Sequence, residues 1–430
     1  MAKPVPGSWY SVVNGDTTRN ISRAAYGLDR SSFLSEANHD LLKDRPISDE
    51  GLPTLYQGDK LFIPIYRNKY NDQKITADFD TQLRIVMNGT PLIGAKASRI
   101  SRAMNQIASG FVFDVPFDHT DKAQVDLFRP YSWYTAQLYI GGELYMTALA
   151  SKWDYDQAAG TATIEVRSLP GEMIECMGMR KSQTFASGMT LIKVAQEVAK
   201  PYGITCYSTD GTGGEVKGGE VGATTSRLEQ DMDESDAEFL GRIARDRGFL
   251  LTSRPDGNLL ICRANTKDKP SCNLVQGEWP VNSVSSSHDG SKRFSKWLGY
   301  TDEPGVKSPK RELKDTTVPR FRGFSFKASE SEEGNLETAV KWRMSKSIAE
   351  SYGVSVNVDS WRTPDGELWR ENMKVTLIAP SVYVFKQTEY IIESVELIKD
   401  DGGDTATMRL VIPESYTTTM PKKPFPWEGY

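Results

Sequence analysis

The chain has 430 residues, of which 38% are hydrophobic, 25% charged and 10% aromatic. This composition supplies enough apolar surface for packed cores and excludes wholesale disorder, and the length predicts two to four domains. The formal net charge of −5 excludes a nucleic-acid coat protein, because coating phosphates requires an excess of basic side chains.

The lack of recognisable targeting signals and the cysteine usage predict a protein made in a reducing cytoplasm. No stretch approaches about 18 consecutive apolar residues, so no membrane-spanning segment is predicted. The first residues lack the apolar core of a secretory signal. The four cysteines have neither the spacing of a zinc knuckle nor that of a disulfide framework. We expect reduced thiols, no metal and no cofactor.

The first 66 residues carry strand and helix signals of their own. An alternating strand at Tyr10 and Val12 leads into a turn, after which Asp16 or Thr17 is suited to cap a helix. A second strand at 61–63 is expected to pair with the first. This order of strand, turn, two short helices and a strand ending in Ile-Pro resembles a LysM domain. The motif is carried by Tyr10, Val12, Gly15, Asp16, Ile21, Ala24, Tyr26, Asn38, Gly58, Asp59, Leu61, Ile63 and Pro64.

The LysM resemblance implies a groove for N-acetylglucosamine polymers, formed in part by the turn after the first strand. Two departures favour another use, as a block that docks a protein. The segment 38–58 is longer than usual, and a single copy forgoes the effective concentration that tandem sugar-binding modules provide. Glycan binding and protein docking are both open at this point. In either case the implied contact residues are Gly15, Asp16, Thr17 and Thr18.

Downstream of a polar linker at 67–77, strand signals dominate. Tight hairpin turns are predicted where glycine-containing pairs or Pro-Asp-Gly sequences separate apolar runs. Trp361 and Trp369 flank one of these turns, and we expect them in a core. The predicted turns are Gly141-Gly142, Pro255-Asp256-Gly257-Asn258 and Pro364-Asp365-Gly366-Glu367.

Helices are few but have clear signals. One is predicted over 190–200, a second begins at the capping box from Ser235 to Glu238, and a third follows the four-residue apolar spacing after Leu336. We expect Gly353 to end the third helix. The glycine-rich segment 209–226 cannot pack and predicts a surface loop.

A short internal echo suggests duplication. Residues 161–166 and 405–410 both begin Thr-Ala-Thr, and each follows a strand, counted from Tyr145 or Tyr390, and an acidic turn. Two readings are open, namely chance similarity of two hairpins or two like β-domains in one chain.

No residue pattern indicates catalysis. The three histidines are His39, His119 and His288, and only the last has serine and aspartate neighbours. Adjacent residues project in different directions, whereas a catalytic triad requires three converging side chains. Phosphate-binding, zinc-protease and nucleophile-elbow motifs are absent from the sequence. We therefore predict that the protein is not an enzyme.

Between residues 78 and 416, eight stretches follow one another in a specific order. They are 83–89, 98–104, 109–113, 138–146, 161–166, 228–248, 361–369 and 413–416. In this order they resemble the baseplate hub proteins of contractile-tailed bacteriophages. This family includes the late control protein D-like tail hubs and is related to the base of type VI secretion spikes.

The hub resemblance implies a homotrimer in which each chain contributes two similar β-barrels to a ring. Three chains would present six like units, so a threefold assembly could seat a sixfold tail tube. The implied partners are a trimeric spike protein, a tail tube or tube-initiator protein, tape-measure protein in the channel, and inner baseplate wedge proteins at the LysM-like block. The implied location is the baseplate of the virion, after assembly in the host cytoplasm.

Together these patterns predict a mainly β fold with α+β parts. The predicted segments are a small βααβ LysM-like domain at 1–66, the linker at 67–77, a first β-barrel tube domain at 78–178, a middle α+β region at 179–280, a second β-barrel tube domain at 281–416 and a Pro/aromatic tail at 417–430.

Five residues are predicted to lie at a partner interface, because aromatic anchors dominate binding energy. The alternative function is a LysM-type peptidoglycan-binding cell-wall protein or hydrolase component. Virion, tailocin and secretion-system settings are all open, because the same fold and ring would serve in each. The predicted interface residues are Arg320, Phe321, Phe425, Pro426 and Trp427.

Overall fold

The computed structural model describes most of the chain and divides it into two units. The units are Met1–Gln82 with Arg362–Glu367, and Leu83–Trp361 with Leu368–Tyr430. No helix among the described residues is long and apolar enough to cross a membrane. The described residues are 4, 8–26, 31–43, 45–46, 53–63, 82–92, 94–104, 106–178, 183–209, 215–217, 227–246, 248–301, 310–328, 336–400 and 403–417.

The first unit contains a two-stranded antiparallel sheet with short helices. Tyr10 lies opposite Leu61 in the sheet, as the alternating pattern predicts. Its elements are β1 (Ser8–Ser11), α1 (Thr18–Tyr26), α2 (Ser31–Ala37), α3 (His39–Leu42) and β2 (Lys60–Ile63). Its core consists of Tyr10, Val12, Ile21, Leu34, Leu42, Leu61 and Ile63.

The second unit begins with antiparallel strands and one short helix. These elements are β3 (Leu83–Met87), β4 (Thr90–Pro91), β5 (Lys96–Ala103), β6 (Gly110–Pro116), α4 (Lys122–Leu127), β7 (Thr135–Ile140), β8 (Glu143–Asp156) and β9 (Thr161–Ser168).

A middle region follows, with its own four-stranded sheet and core. The strands of this sheet lie in the order β12 (Glu215–Lys217), β11 (Cys206–Thr209), β15 (Leu259–Cys262) and β14 (Leu250–Ser253). Burial in this core raises the pKa of Cys206 to about 12. The elements are α5 (Glu172–Glu175), β10 (Thr184–Phe185), α6 (Leu191–Ala199), β11 (Cys206–Thr209), β12 (Glu215–Lys217), β13 (Leu228–Glu229), α7 (Asp236–Asp246), β14 (Leu250–Ser253) and β15 (Leu259–Cys262).

The remaining strands return to the first sheet, except for a three-stranded insertion in the order β19 (Lys310–Lys314), β18 (Lys296–Tyr300) and β20 (Gly323–Lys327). The elements are β16 (Asn273–Val275), β17 (Val281–His288), β18 (Lys296–Tyr300), β19 (Lys310–Lys314), β20 (Gly323–Lys327), α8 (Leu336–Ser351), β21 (Tyr352–Val358), β22 (Lys374–Ala379), β23 (Val384–Asp400) and β24 (Gly403–Val411). Single 3-10 turns lie at Leu169–Gly171, Lys200–Tyr202, Gly290–Lys292, Pro380–Val382 and Pro413–Tyr416.

The predicted mainly β fold is confirmed, but the two barrels are not seen as closed barrels. Thirteen strands form one sheet with the path β17-β21-β24-β23-β5-β6-β9-β8-β7-β3-β4, and β22 and β16 branch from β23. Within the described part of the chain the sheet does not close. The reason is that β23 pairs with β5, which joins the two predicted barrel regions edge to edge.

One apolar core lies under both parts of this sheet. Trp361 and Trp369 are fully buried in it, which confirms the expectation that they are core residues. The Trp361 indole Nε1 donates to the carbonyl oxygens of Thr405 and Ile398, at 2.9 and 3.2 Å. The indole therefore fills the core and also satisfies two carbonyl groups.

Local signals in the sequence are confirmed where the backbone requires special residues. Gly141 and Gly142 connect β7 to β8 with φ of +58° and +83°, as a two-residue hairpin turn needs. At the start of α7 the Ser235 N–H donates to Glu238 Oε2 at 2.9 Å, and the Glu238 N–H donates to Ser235 Oγ at 3.2 Å. This reciprocal pair is the predicted capping box.

Gly353 does not end the third predicted helix. Helix α8 ends at Ser351, and Gly353 lies inside β21. A Cβ at this position would lie 3.2 to 3.3 Å from the guanidinium group of Arg409. The glycine therefore leaves room for a cross-strand arginine.

Gly299 in β18 should not tolerate alanine. A Cβ there would lie 2.8 Å from Val340 Cγ2 and 3.0 Å from Leu336 Cδ1, both on α8. We expect Gly299→Ala to cost about 1–3 kcal/mol, because the packed helix must shift. Gly290→Ala is the matched control, since nothing lies within 4 Å of its Cβ. Urea unfolding midpoints should separate the two variants, and equal midpoints would contradict the close packing of α8 on β18.

Candidate assembly interface

Twelve of the thirteen strands of the large sheet form two six-strand sets with the same internal order, and the remaining strand, β4, pairs with β3. The N-terminal set is ordered β5-β6-β9-β8-β7-β3, and the C-terminal set is ordered β17-β21-β24-β23-β22-β16. Strands in corresponding places also follow the same order along the chain. One pairing differs in direction, because β3 and β7 are antiparallel whereas β16 and β22 are parallel. The strand order therefore favours duplication over chance as the origin of the Thr-Ala-Thr echo.

A β-bulge recurs at the same place in both sets. In β8 the extra residue is Ser151, which faces residues 165–166 of β9. In β23 the extra residue is Glu393, which faces residues 409–410 of β24. The two hairpins therefore align residue by residue along β9 and β24, with the bulge re-aiming the strand in both.

The tyrosines from which the echoing segments are counted are not equivalent in this alignment. In the C-terminal set, Tyr390 pairs with Val375. The equivalent pair in the N-terminal set is Ala148 with Ala136, so Tyr390 corresponds to Ala148 and not to Tyr145. Tyr145 lies at a register shift in the pairing of β7 with β8. The sequence echo is thus confined to the hairpin, whereas the repeated topology extends over six strands.

The two sets meet where β23 pairs antiparallel with β5. Ser394 lies opposite Ala103, and Ile398 lies opposite Arg99. The same part of β23 pairs with β24 on its other edge, so both of its edges are hydrogen-bonded here. Arg99 forms an ion pair with Glu396 across the junction.

A buried ion pair stabilises this junction from inside. Arg102 Nε donates to Glu371 Oε2 at 2.7 Å, and Arg102 Nη2 donates to Oε1 at 2.8 Å. The same guanidinium donates to the carbonyl oxygens of Tyr145, at 3.1 Å, and Ser253, at 2.7 Å. The Thr252 hydroxyl donates to Glu371 Oε1 at 3.0 Å. Arg102 therefore connects the N-terminal set, the middle region and the C-terminal set at one point.

Both members of this pair are charged at neutral pH. Burial alone would raise the pKa of Glu371, but the charge and hydrogen bonds of Arg102 together outweigh burial and hold that pKa below its usual value. Burial alone would lower the pKa of Arg102, and Glu371 raises it above its usual value. The result is a bidentate, charge-assisted pair in the interior.

Sequence reasoning missed Arg102 and Glu371, although one signal was present. Arg102 follows Ile100 at the two-residue spacing of a strand, so it occupies an inward position that is normally apolar. A charged residue at such a position requires a buried partner. No local pattern identifies Glu371 as that partner, because the two residues are 269 positions apart.

Phe321 and Arg320 lie on the surface, as an interface would require. Phe321 is 81% exposed. The neighbouring Arg322 side chain is held by two hydrogen bonds. Its Nε donates to the carbonyl of Arg293 at 2.7 Å, and its Nη2 donates to the carbonyl of Ser291 at 2.8 Å. Their role in binding stays a prediction. Three further predicted interface residues lie outside the described residues, namely Phe425, Pro426 and Trp427.

In the LysM-like block, two of the predicted contact side chains have structural roles. The Asp16 carboxylate accepts from the Tyr10 hydroxyl and from the Val13 N–H, both at 2.9 Å. Thr17 Oγ1 accepts from the Asn20 N–H at 3.1 Å. Thr17 is therefore the residue that caps α1, and Asp16 closes the turn before it.

The other residues of this turn differ in exposure. Thr18 is fully buried, whereas Gly15 is exposed and has a φ of +92°. On the same block, the Trp9 ring is 68% exposed and its centroid lies 5.4 Å from that of Phe62. Contact with glycan or protein through the turn stays a prediction.

His288 does not complete a catalytic triad. Its Nε2 lies 3.2 Å from Ser286 Oγ, but the Asp289 carboxylate accepts from the Ser291 N–H at 2.9 Å and caps a 3-10 turn. Among the residues that the structure describes, no three His, Cys, Asp or Glu side chains are grouped as metal ligands.

Known proteins that are similar to this chain come from phage baseplates. Residues 170–263 match the second domain of the gp44-like baseplate hub proteins, and residues 334–419 match the fourth domain of the Mu phage baseplate assembly protein GpP. The baseplate hub protein gp44 of Escherichia phage Mu is 27% identical over 285 residues, which cover 63% of this chain and 72% of that protein. The chain is a homologue of the Mu baseplate hub protein gp44.

Solved structures agree with this assignment. The 43 kDa tail protein of prophage MuSo2 from Shewanella oneidensis has a TM-score of 0.62 and 26% identity to this chain. The match covers 77% of this chain and 98% of the Shewanella protein. The tail protein from Neisseria meningitidis has a TM-score of 0.65 and 18% identity, over 78% and 98%, and shares the fold. Hub proteins of this family are components of the virion tail. Both family-model matches lie beyond residue 66, so the LysM-like assignment stays a prediction.

Proposed function

We propose that this chain forms the baseplate hub of a phage tail as a homotrimeric ring that lines a channel. The observation that carries the proposal is the repeated six-strand order within one chain. Three such chains present six similar strand sets around one axis, so the ring has threefold symmetry by chain and near-sixfold symmetry by fold. Such a ring can contact a sixfold tube with six similar surfaces.

The proposed role is structural and involves no reaction. The threefold face of the ring would bind the trimeric spike, and the near-sixfold face would bind the tail tube or a tube-initiator protein. Tape-measure protein and then the genome would pass along the axis. These partners come from the hub resemblance, and the relationship to Mu gp44 supports them.

Light scattering on the purified full-length chain tests the assembly. A ring of three chains of 48.0 kDa has a mass of about 144 kDa. Electron microscopy of the same sample should show annular particles. A 48.0 kDa monomer at all concentrations, including mixtures with the spike and tube proteins, would contradict the proposal.

We propose that the LysM-like block docks a baseplate wedge protein. Supporting this use, the Asp16 and Thr17 side chains are engaged in the turn, while the Trp9 ring is exposed as a candidate anchor. Sedimentation with insoluble peptidoglycan distinguishes the two uses. The full-length chain should stay in the supernatant, and co-sedimentation that is lost in Trp9→Ala would support glycan binding instead.

A further inference from the structure

Two strand segments of the large sheet have an edge that pairs with no described strand. Among the described strands, β17 pairs with β21 alone, so no described strand lies along its other edge. Strand β8 pairs with β7 along its first part only, so residues 152–156 pair with β9 on one edge and with no described strand on the other. Open, regular strand edges bind further strands readily, and proteins cover or pair them.

The junction between β23 and β5 provides a template for pairing these edges. In the repeated order, β8 corresponds to β23 and β17 corresponds to β5. Residues 394–398 of β23, which pair with β5, therefore correspond to residues 152–156 of β8. Within the part of the chain that the structure describes, one set of equivalent edges is paired internally and the other set has no partner strand.

The repeated ladders fix the alignment of these strands. The shared bulge aligns Ser394 with Lys152, and hence Glu396 with Asp154. On the other side, Ser101 pairs with Gly110 as Ser287 pairs with Gly353. The two glycines correspond because the residues that follow them pair with equivalent positions. Phe111 pairs with Val166, and Val354 pairs with Leu410.

We propose that residues 285–289 of one copy pair antiparallel with residues 152–156 of a second copy of this chain, with Ser287 opposite Asp154. The inference rests on the proposed ring and specifies how neighbouring chains join. Within the chain, Glu396 lies opposite Ser101, which is the equivalent pair. Repeating both junctions three times links all six strand sets through continuous backbone hydrogen bonds.

Burial at equivalent positions supports a missing neighbour. Leu397, which faces the core at the internal junction, is 1% exposed. Its equivalent in β8 is Tyr155, which is 41% exposed. Arg102 in β5 is 4% exposed, whereas its equivalent in β17, His288, is exposed. The positions that the partner strand covers in one set are thus uncovered in the other.

The side chains on the two edges are compatible at this register. Lys152 would lie opposite Asp289, which places opposite charges across the junction. Asp154 and Asp156 would lie opposite Ser287 and Ser285, whose hydroxyl groups can donate to carboxylates. No pair of like charges is opposed.

An exposed aromatic cluster lies beside the open edge of β8. The Trp153 ring centroid lies 6.0 Å from that of Tyr131 and 6.3 Å from that of Trp133. Tyr131 and Trp133 are 74% and 53% exposed. A second chain seated on this edge would cover part of the cluster, as buried aromatic groups do at interface centres.

Paired cysteines test the register in the full-length chain. Directly opposed residues alternate between close, non-hydrogen-bonded pairs and wider, hydrogen-bonded pairs, so two adjacent pairs are needed. The variants are Asp154→Cys with Ser287→Cys, and Tyr155→Cys with Ser286→Cys. After oxidation, at least one should give covalent dimers and trimers on a non-reducing gel, and reduction should return the monomer band. The single variants control for the four native cysteines.

Asp154→Cys with Ser285→Cys is the matched register control, because those positions are diagonal and about 7–8 Å apart. Light scattering under reducing conditions first checks that each variant is a trimer. Trimers that cross-link only in the control pair, or in neither predicted pair, would overturn this inference while leaving the ring intact. A wild-type chain that never forms a trimer would instead overturn the proposed function.

Discussion

Replacing Glu371 with glutamine should lower the free energy of unfolding by about 3–5 kcal/mol, because the substitution leaves the buried Arg102 guanidinium without its counter-charge. Arg102 is 4% exposed and cannot reach water without opening the junction of the two strand sets. Its hydrogen bonds to the Tyr145 and Ser253 carbonyls would persist, but these neutral acceptors do not compensate a buried charge. The measurement is the shift in the urea midpoint at neutral pH.

Glu312→Gln is the matched control for this experiment. Glu312 also forms an ion pair, with its Oε2 2.9 Å from Lys296 Nζ, but both side chains are about two-fifths exposed. Water and salt screen such a pair, so the midpoint should not move measurably. Equal midpoint shifts in Glu371→Gln and Glu312→Gln would mean that the buried pair does not stabilise the junction.

The same pair gives the wild-type chain an acid-sensitive contribution to stability. Because the pKa of Glu371 is lowered in the folded state, its contribution is fully present above the usual carboxyl pKa of 4.5. It is lost as the pH falls through the lowered value. Since glutamine does not titrate, the Glu371→Gln variant should show a flatter loss of stability below pH 4.5.

Replacing Trp361 with alanine should cost about 3–5 kcal/mol, since it removes a fully buried indole from the core under the large sheet. The change also removes the indole hydrogen bonds to the carbonyl groups of Ile398 and Thr405. Both carbonyls lie on the hairpin of β23 and β24, so we expect this hairpin to gain hydrogen-exchange rate in the variant.

Phe321→Ala is the matched aromatic truncation, because Phe321 is 81% exposed. Its thermal midpoint should match that of the wild type, whereas the midpoint of Trp361→Ala should fall by several degrees. If both variants lost the same stability, the indole of Trp361 would not be the core residue that its burial indicates.

Elements set by local interactions could be predicted from the sequence. The capping box at Ser235 and the hairpin at Gly141-Gly142 depend on residues within four positions of each other, so their signals are short and specific. The end of α8 was predicted wrongly at Gly353. That glycine is favoured by the Arg409 side chain on a neighbouring strand, which leaves little room for a Cβ.

The duplication was predictable only as a hint. Thr-Ala-Thr recurs at 161–163 and 405–407, but six strands share one order with almost no shared sequence. Strand order depends on which edges meet, and many sequences satisfy the same alternation of buried and exposed side chains. The absence of closed barrels in the described residues has the same origin, since β23 pairs with β5 rather than closing on its own set.

By itself, the sequence determined the mainly β class, the turns and helix caps, the absence of catalytic motifs and the resemblance to phage hub proteins. Each of these depends on composition or on residues close together in the chain. Only the tertiary structure decided that Arg102 meets Glu371, that β23 joins β5, and which strand edges pair with no other described strand. These contacts join residues hundreds of positions apart, and the free energy that selects them arises only when the whole sheet and its core are formed.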